Sequence, residues 1–270
     1  MNAATAEASV TELYPAVNTD PVPTSLTSRR IQPLRALRAM RRLIADKDDT
    51  EQVFEIMNAL SGNSIRRGYA KLLDHPIGGL EAYQRTELAD ILQDRAALAK
   101  LPEGSVGRAY LAFIEEQDFS AYGLADESKK VKDTLIEAAH PYAWYGRRLR
   151  DVHDLWHVIT GYEADALGEA CLVGFSYSQT RSLGFAVIAW GVAIQFARAR
   201  PGYPAARSII RAFRDGRKAE WLPGLNYRKL LAMPLDEARQ MLNIPDPVLY
   251  RAVPKAVRNQ YAGSKDALAA

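Results

Sequence analysis

From residue 33 onward the chain reads almost entirely as helix, and this periodicity restricts it to an all-α fold. Leu34, Leu37, Met40 and Ile44 recur at helical spacing, while Arg35, Arg38, Arg41 and Arg42 fill other positions of the same turns. A second segment starts at Asp48, carries Glu51 three residues on as a capping box, and stops at Gly62. Helical patterns follow at 65–74 and 83–99, and again after the Pro and Gly of LPEGSVGRAYLAFIEEQDF (101–119). No run alternates strictly, and β-branched residues never cluster between turn signals, so strands are not expected.

A chain of 270 residues can bury one large core. The expected organisation is a disordered tail at 1–30, one helical domain at 31–245 and a C-terminal extension at 246–270 that wraps the domain or frays. The tail is rich in Ala, Thr, Pro and Ser, has no apolar segment of the kind a secretory signal needs, and contains Glu7, Glu12 and Asp20, which an organellar transit peptide usually lacks. A cytoplasmic compartment is therefore expected. The run from Ser182 to Ala197 is apolar for 16 residues, fewer than the roughly 20 of a spanning helix, and is expected to be a helix buried on most sides.

The charge is 35 − 32 = +3, too small for a nucleic-acid footprint unless it is concentrated on one face. With Cys171 alone there is neither a disulfide framework nor a CxxC zinc site. Metal or acid–base chemistry must draw on the carboxylates and four histidines, His75, His140, His153 and His157. His75 and His140 each precede a proline and read as turn residues, and Cys171 reads as a buried, inert thiol.

The informative segment is RRLRDVHDLWHVITGYEADALGEAC (147–171). His153 and His157 are four apart and share a helix face, with Asp154 on its adjoining edge. Two imidazoles and a carboxylate suit a divalent metal: zinc first, with cobalt, iron or manganese compatible. On an unbroken helix Glu169 would lie roughly 18 Å beyond His157. It can join them only if the chain reverses. Gly161, an irregular stretch with Asp165, and Gly168 before a following helix provide such a reversal. Arg148 and Arg150 lie within a turn or so of the histidines and can meet an anionic substrate group, though a solvated face is an equal reading. The arginine-rich helix 33–46 reads either as a core helix with a basic outer side or as a membrane-surface element.

Competing metal chemistries fit less well. An HExxH metalloprotease needs Glu after the first histidine, where this chain has Asp154. An HD-type phosphohydrolase is all-helical with a His-Asp pair, but leaves His157 and Glu169 without a role.

HDLWH, eleven residues and then Glu169 resemble the HDxxH-x11-E motif of the coenzyme Q (ubiquinone) biosynthesis protein 4 family. LPEGSVGRAYLAFIEE (101–116), Arg148-x-Arg150-x-x-His153-Asp154, GYEADALGE, GRKA (216–219) and LLAMPLDEARQMLNI (230–244) are similar to further segments of that family, so the likeness runs from about 48 to 245. The resemblance implies an all-helical metalloprotein that binds polyprenylated benzoquinone precursors. It also implies His153, Asp154, His157 and Glu169 as metal-site residues. The implied activity is oxidative decarboxylation at C1 of the ring. Association with other ubiquinone-biosynthesis enzymes and a peripheral position on the inner membrane are implied as well. A non-catalytic scaffold that holds prenylated intermediates, with a structural metal, is the competing expectation. A homodimer is compatible with the apolar 182–197 segment.

Overall fold

A computed structural model describes residues 30–45, 50–116 and 140–259. All but the last residue of the expected tail (1–30), the capping position Asp48 and the end of the 101–119 segment lie outside the described residues. Among the described residues there are sixteen α-helices and one 3-10 turn, with no strand beyond an isolated bridge between Ser105 and Pro234. The all-α expectation holds.

The helices are α1 (Pro33–Ala45), α2 (Thr50–Leu60), α3 (Ser64–Asp74), α4 (Pro76–Gln84), α5 (Leu88–Gln93), α6 (Arg95–Ala99), α7 (Val106–Glu116), α8 (Pro141–Asp151) and α9 (His153–Thr160). They continue as α10 (Ala166–Thr180), α11 (Leu183–Ala199), α12 (Ala205–Lys218), the 3-10 turn Leu222–Gly224, α13 (Tyr227–Leu231), α14 (Leu235–Met241), α15 (Val248–Arg251) and α16 (Lys255–Asn259).

One expected helix is divided. The 83–99 segment breaks because Arg85 turns left-handed (φ 47°) and Asp94 starts a new helix by accepting the Ala97 N–H at 2.9 Å. Val152 separates α8 from α9, so His153 opens the helix that carries His157. His75 and His140 are turn residues, as expected. Each caps the proline-led helix after it, its Nδ1 accepting a backbone N–H at 3.1 Å, from Gly78 and Tyr142 respectively.

Helix α10 forms the centre. It packs on α11 and α12, which also touch each other, and it buries Leu167, Ala170, Cys171, Leu172 and Phe175. Helix α9 joins the same core through Leu155, Trp156 and Ile159, and the Trp156 indole donates to the Tyr227 hydroxyl at 2.9 Å. Burying such side chains contributes about 1.5–3 kcal/mol each, enough to hold an eight-residue helix that would not persist alone.

Helix α11 departs from expectation. Its Ala189, Ala193 and Phe196 face the core, but Leu183, Val187, Trp190 and Ile194 form an exposed stripe, with Trp190 60% exposed. No described helix is long and apolar enough to cross a membrane.

Candidate metal centre

The chain reverses between α9 and α10 by a turn with several fixed points. Gly161 ends α9 in the left-handed region (φ 74°), its N–H donating to the His157 carbonyl at 2.8 Å. Asp165 caps α10 by accepting the Gly168 N–H at 2.8 Å. Gly168 thus lies inside the first turn of α10, one turn later than its expected place ahead of the helix. A Cβ there would stand 1.9 Å from the Glu163 carbonyl oxygen, so only glycine fits. Glu169 then projects from that first turn, where the helix dipole favours its charge.

The reversal returns Glu169 to the histidines. Its Oε1 lies 3.1 Å from His157 Nε2, and its Oε2 lies 3.6 Å from His153 Nε2. Ligand atoms of His153, His157 and Glu169 all fall within 4.8 Å of one another. Two ligands each about 2.1 Å from a tetrahedral ion are about 3.4 Å apart, which matches the two contacts.

The protonation pattern makes the stronger test of fit. His157 Nδ1 lies 3.0 Å from the Tyr162 carbonyl, and His153 Nδ1 lies 3.1 Å from Asp154 Oδ1. Both partners only accept, so both Nδ1 atoms carry a proton and both rings turn Nε2 toward Glu169. His157 Nε2 is buried and makes no geometrically sound hydrogen bond, although a carboxylate oxygen stands 3.1 Å away. Two imidazole nitrogens and a carboxylate converging at that distance form a donor set that fits a divalent metal. The ring of His157 is further fixed by Phe113 of α7, which stacks on it at 5.5 Å and 19°.

The electrostatics agree. Burial works against the Glu169 charge, but the adjacent imidazole of His157, with His153 behind, holds its carboxyl down to about 2. For His153 burial again opposes charge, yet the Asp154 hydrogen bond and the Glu169 and Asp154 charges raise its pKa above the ordinary value. Glu169 remains 43% exposed along its side chain, so the group opens toward solvent.

Two sequence expectations change here. Asp154 is not part of the converging set; following directly on His153, its carboxylate reaches the far nitrogen of that ring and orients it. Arg148 is 1% exposed and committed elsewhere: Nε donates to the Pro223 carbonyl, another nitrogen to the Leu225 carbonyl, and the head pairs with Glu81 at 3.4 Å. It ties α8 to α4 and the 223–225 segment. Arg150 lies on the neighbouring turn, its Nε 2.9 Å from Asp151.

Cys171 is buried, 3.4 Å from the Ser208 hydroxyl, and burial pushes its thiol up to about 12, which leaves it inert as expected. Tyr162 and Phe113 had no chemical signal in the sequence. One acts through a main-chain carbonyl, and the other touches the histidine only once α7 packs on α9.

The fold and the site define an all-helical protein in which two histidines and one glutamate, brought together across a helical reversal, could hold a metal ion. The family model "Coenzyme Q (ubiquinone) biosynthesis protein Coq4" matches residues 25–248, and the chain belongs to that family. A zebrafish (Danio rerio) relative, named ubiquinone biosynthesis protein COQ4 homolog, mitochondrial, is 28% identical over 66% of this chain and 63% of its own length. The Aspergillus clavatus relative is 26% identical over 73% of this chain and 66% of its own, and the Bos taurus relative 28% over 72% of each. The chain thus spans just under two thirds of the length of the first two. The crystal structure of a Nostoc punctiforme protein ascribed to ubiquinone biosynthesis shares the fold, with a TM-score of 0.58 and 20% identity over 80% of this chain and all of that one.

Proposed function

We propose that this protein acts in ubiquinone biosynthesis as a metal-dependent enzyme that removes the C1 carboxyl of a polyprenylated 4-hydroxybenzoate-derived ring and installs a hydroxyl there. The observation that carries this reading is the convergence of His153, His157 and Glu169 with a buried, cation-seeking Nε2 on His157. The conversion releases CO2, adds the oxygen of a hydroxyl and withdraws two electrons from the ring, and dioxygen is the acceptor of fitting class.

His153, His157 and Glu169 would hold the ion, zinc being the first candidate on donor chemistry, with cobalt, iron or manganese next. When bound, a divalent ion supplies Lewis-acid polarisation and a template for a ring carboxylate or phenolate. Asp154 and the Tyr162 carbonyl keep both imidazoles in the Nδ1–H form, so that Nε2 stays available. Phe113 shields one face of His157 from water. The exposed flank of Glu169 supports an open coordination position, as catalysis requires, over the closed set of a structural site.

The stripe Leu183–Val187–Trp190–Ile194, with Arg181 and Arg198 toward its two ends, supports peripheral docking on an anionic membrane, where prenylated substrates and the partner enzymes of the pathway reside. The inner membrane is the proposed location.

The test is complementation. A strain lacking ring C1 chemistry should recover quinone with the wild-type chain and fail to do so with Glu169→Ala. Equal recovery would reject the catalytic role and favour the lipid-holding scaffold. Metal analysis of the purified chain is the companion measurement, with one divalent ion per chain expected.

A further inference from the structure

The turn that aims two of the three metal-site side chains is gripped from outside by the C-terminal segment. The Tyr250 hydroxyl donates to Asp165 Oδ2 at 2.5 Å and accepts the Glu163 N–H at 3.1 Å. Its ring meets Tyr162 edge-on at 5.4 Å. Tyr250 therefore holds Tyr162 and the two residues Glu163 and Asp165 that follow it, and Tyr162 supplies the carbonyl that orients His157. Arg258 lies over the Tyr250 ring at 4.1 Å and reaches Glu163 at 3.4 Å and Asp165 at 3.6 Å. It is itself pinned by donating to the Val253 carbonyl at 2.7 Å, and it is 7% exposed. Tyr250, Asp165 and Arg258 are all buried. Such a network holds its members in one arrangement when every partner is satisfied.

We propose that Tyr250 and Arg258 are positioning residues of the metal centre, locking the 161–165 turn whose Tyr162 carbonyl orients His157 and whose Asp165 caps the helix that presents Glu169. Both residues lie beyond residue 248, where the family match ends. The inference rests on the metal-centre reading above. Groups that orient metal-binding histidines typically change metal affinity 10–100-fold when altered, and these act one contact further out.

The experiment uses the full chain as wild type, Tyr250→Phe, Arg258→Gln and a control, Val253→Ala. Val253 is buried in the same segment, and its substitution removes packing while leaving the contacts of the turn in place. Cobalt(II) titration followed by visible absorption should show about tenfold weaker binding and an altered spectrum for Tyr250→Phe and Arg258→Gln, with Val253→Ala close to wild type. In the metal-free chain, ring-nitrogen NMR should show His157 as a single Nδ1–H form in wild type and as a mixture in Tyr250→Phe. Wild-type affinity and an unchanged ring signal in Tyr250→Phe would overturn the proposal. So would an equal loss in Val253→Ala, which would make the segment mere packing. A wild-type chain that takes up no cobalt defeats the metal-centre reading itself, and the ring signal, read without metal, then still decides whether the lock exists.

Discussion

Gly168 concentrates the demands on the turn in one hydrogen atom. Alanine there places a methyl 1.9 Å from a main-chain oxygen that cannot swing aside, so the turn must open. Gly168→Ala should lose at least the roughly 1–3 kcal/mol typical of overpacking in urea unfolding, and should weaken metal binding with it. The two titrating partners give a pH signature. Without metal, the raised pKa of His153 means that its protonated form stabilises the fold. That contribution is complete below the unfolded pKa of about 6.5 and fades as pH rises through the higher folded value. Glu169 works oppositely: its contribution is present above the ordinary carboxylate range and is lost as pH falls through about 2. With metal bound the His153 trend reverses, because the ligand nitrogens must be unprotonated. Thermal unfolding at pH 6 and pH 8, with and without zinc, should therefore show metal stabilisation that is larger at pH 8. Equal stabilisation at both would contradict the ligand set.

Among the helices, α11 separates what stabilises the fold from what faces outward. Trp190→Ser alters an exposed position, so stability should stay within about 0.5 kcal/mol. Co-sedimentation with vesicles containing anionic lipid should fall several-fold. Unchanged sedimentation together with a shift from dimer to monomer would instead assign the stripe to a second copy of the chain. Element type was legible from apolar spacing, as in α1 and α3. The breaks were not. Val152 has helical dihedrals (φ −86°, ψ −1°) and nothing in its residue type marks a boundary, and Arg85 adopts a left-handed cap usually given to glycine. The burial of α11 was overestimated because an all-apolar sequence cannot tell which of its faces the fold will cover.

On the scale of the whole molecule, Arg148 shows why spacing identifies candidates more easily than roles. Its position two residues before Arg150 and five before His153 suggested an anion partner, yet tertiary packing buries it against Glu81 and two carbonyls. Arg148→Met should cost about 3–5 kcal/mol, because Glu81 would be left charged and buried, and should leave cobalt affinity in the surviving folded fraction unchanged. The histidines and Glu169 were readable because their chemistry resides in side-chain type and local spacing. Tyr250, Arg258 and Arg239, whose guanidinium donates to the Val158 and Ile159 carbonyls at the end of α9, were not readable. Their partners in α9 and the turn after it lie about 80 to 95 residues away in the chain, and several are main-chain atoms with no residue signature.

The reversal between α9 and α10 acts as a ruler. Gly161 sets where the first helix stops, Asp165 where the second starts, and Gly168 how closely the second may approach the turn. One added or deleted residue between His157 and Glu169 would displace at least one of these marks, and along a helix each residue rotates the side chain by about 100°. Glu169 would then point away from both imidazoles. The eleven-residue interval is therefore a fixed length, and a one-residue insertion or deletion within 157–169 should uncouple Glu169 from the histidines.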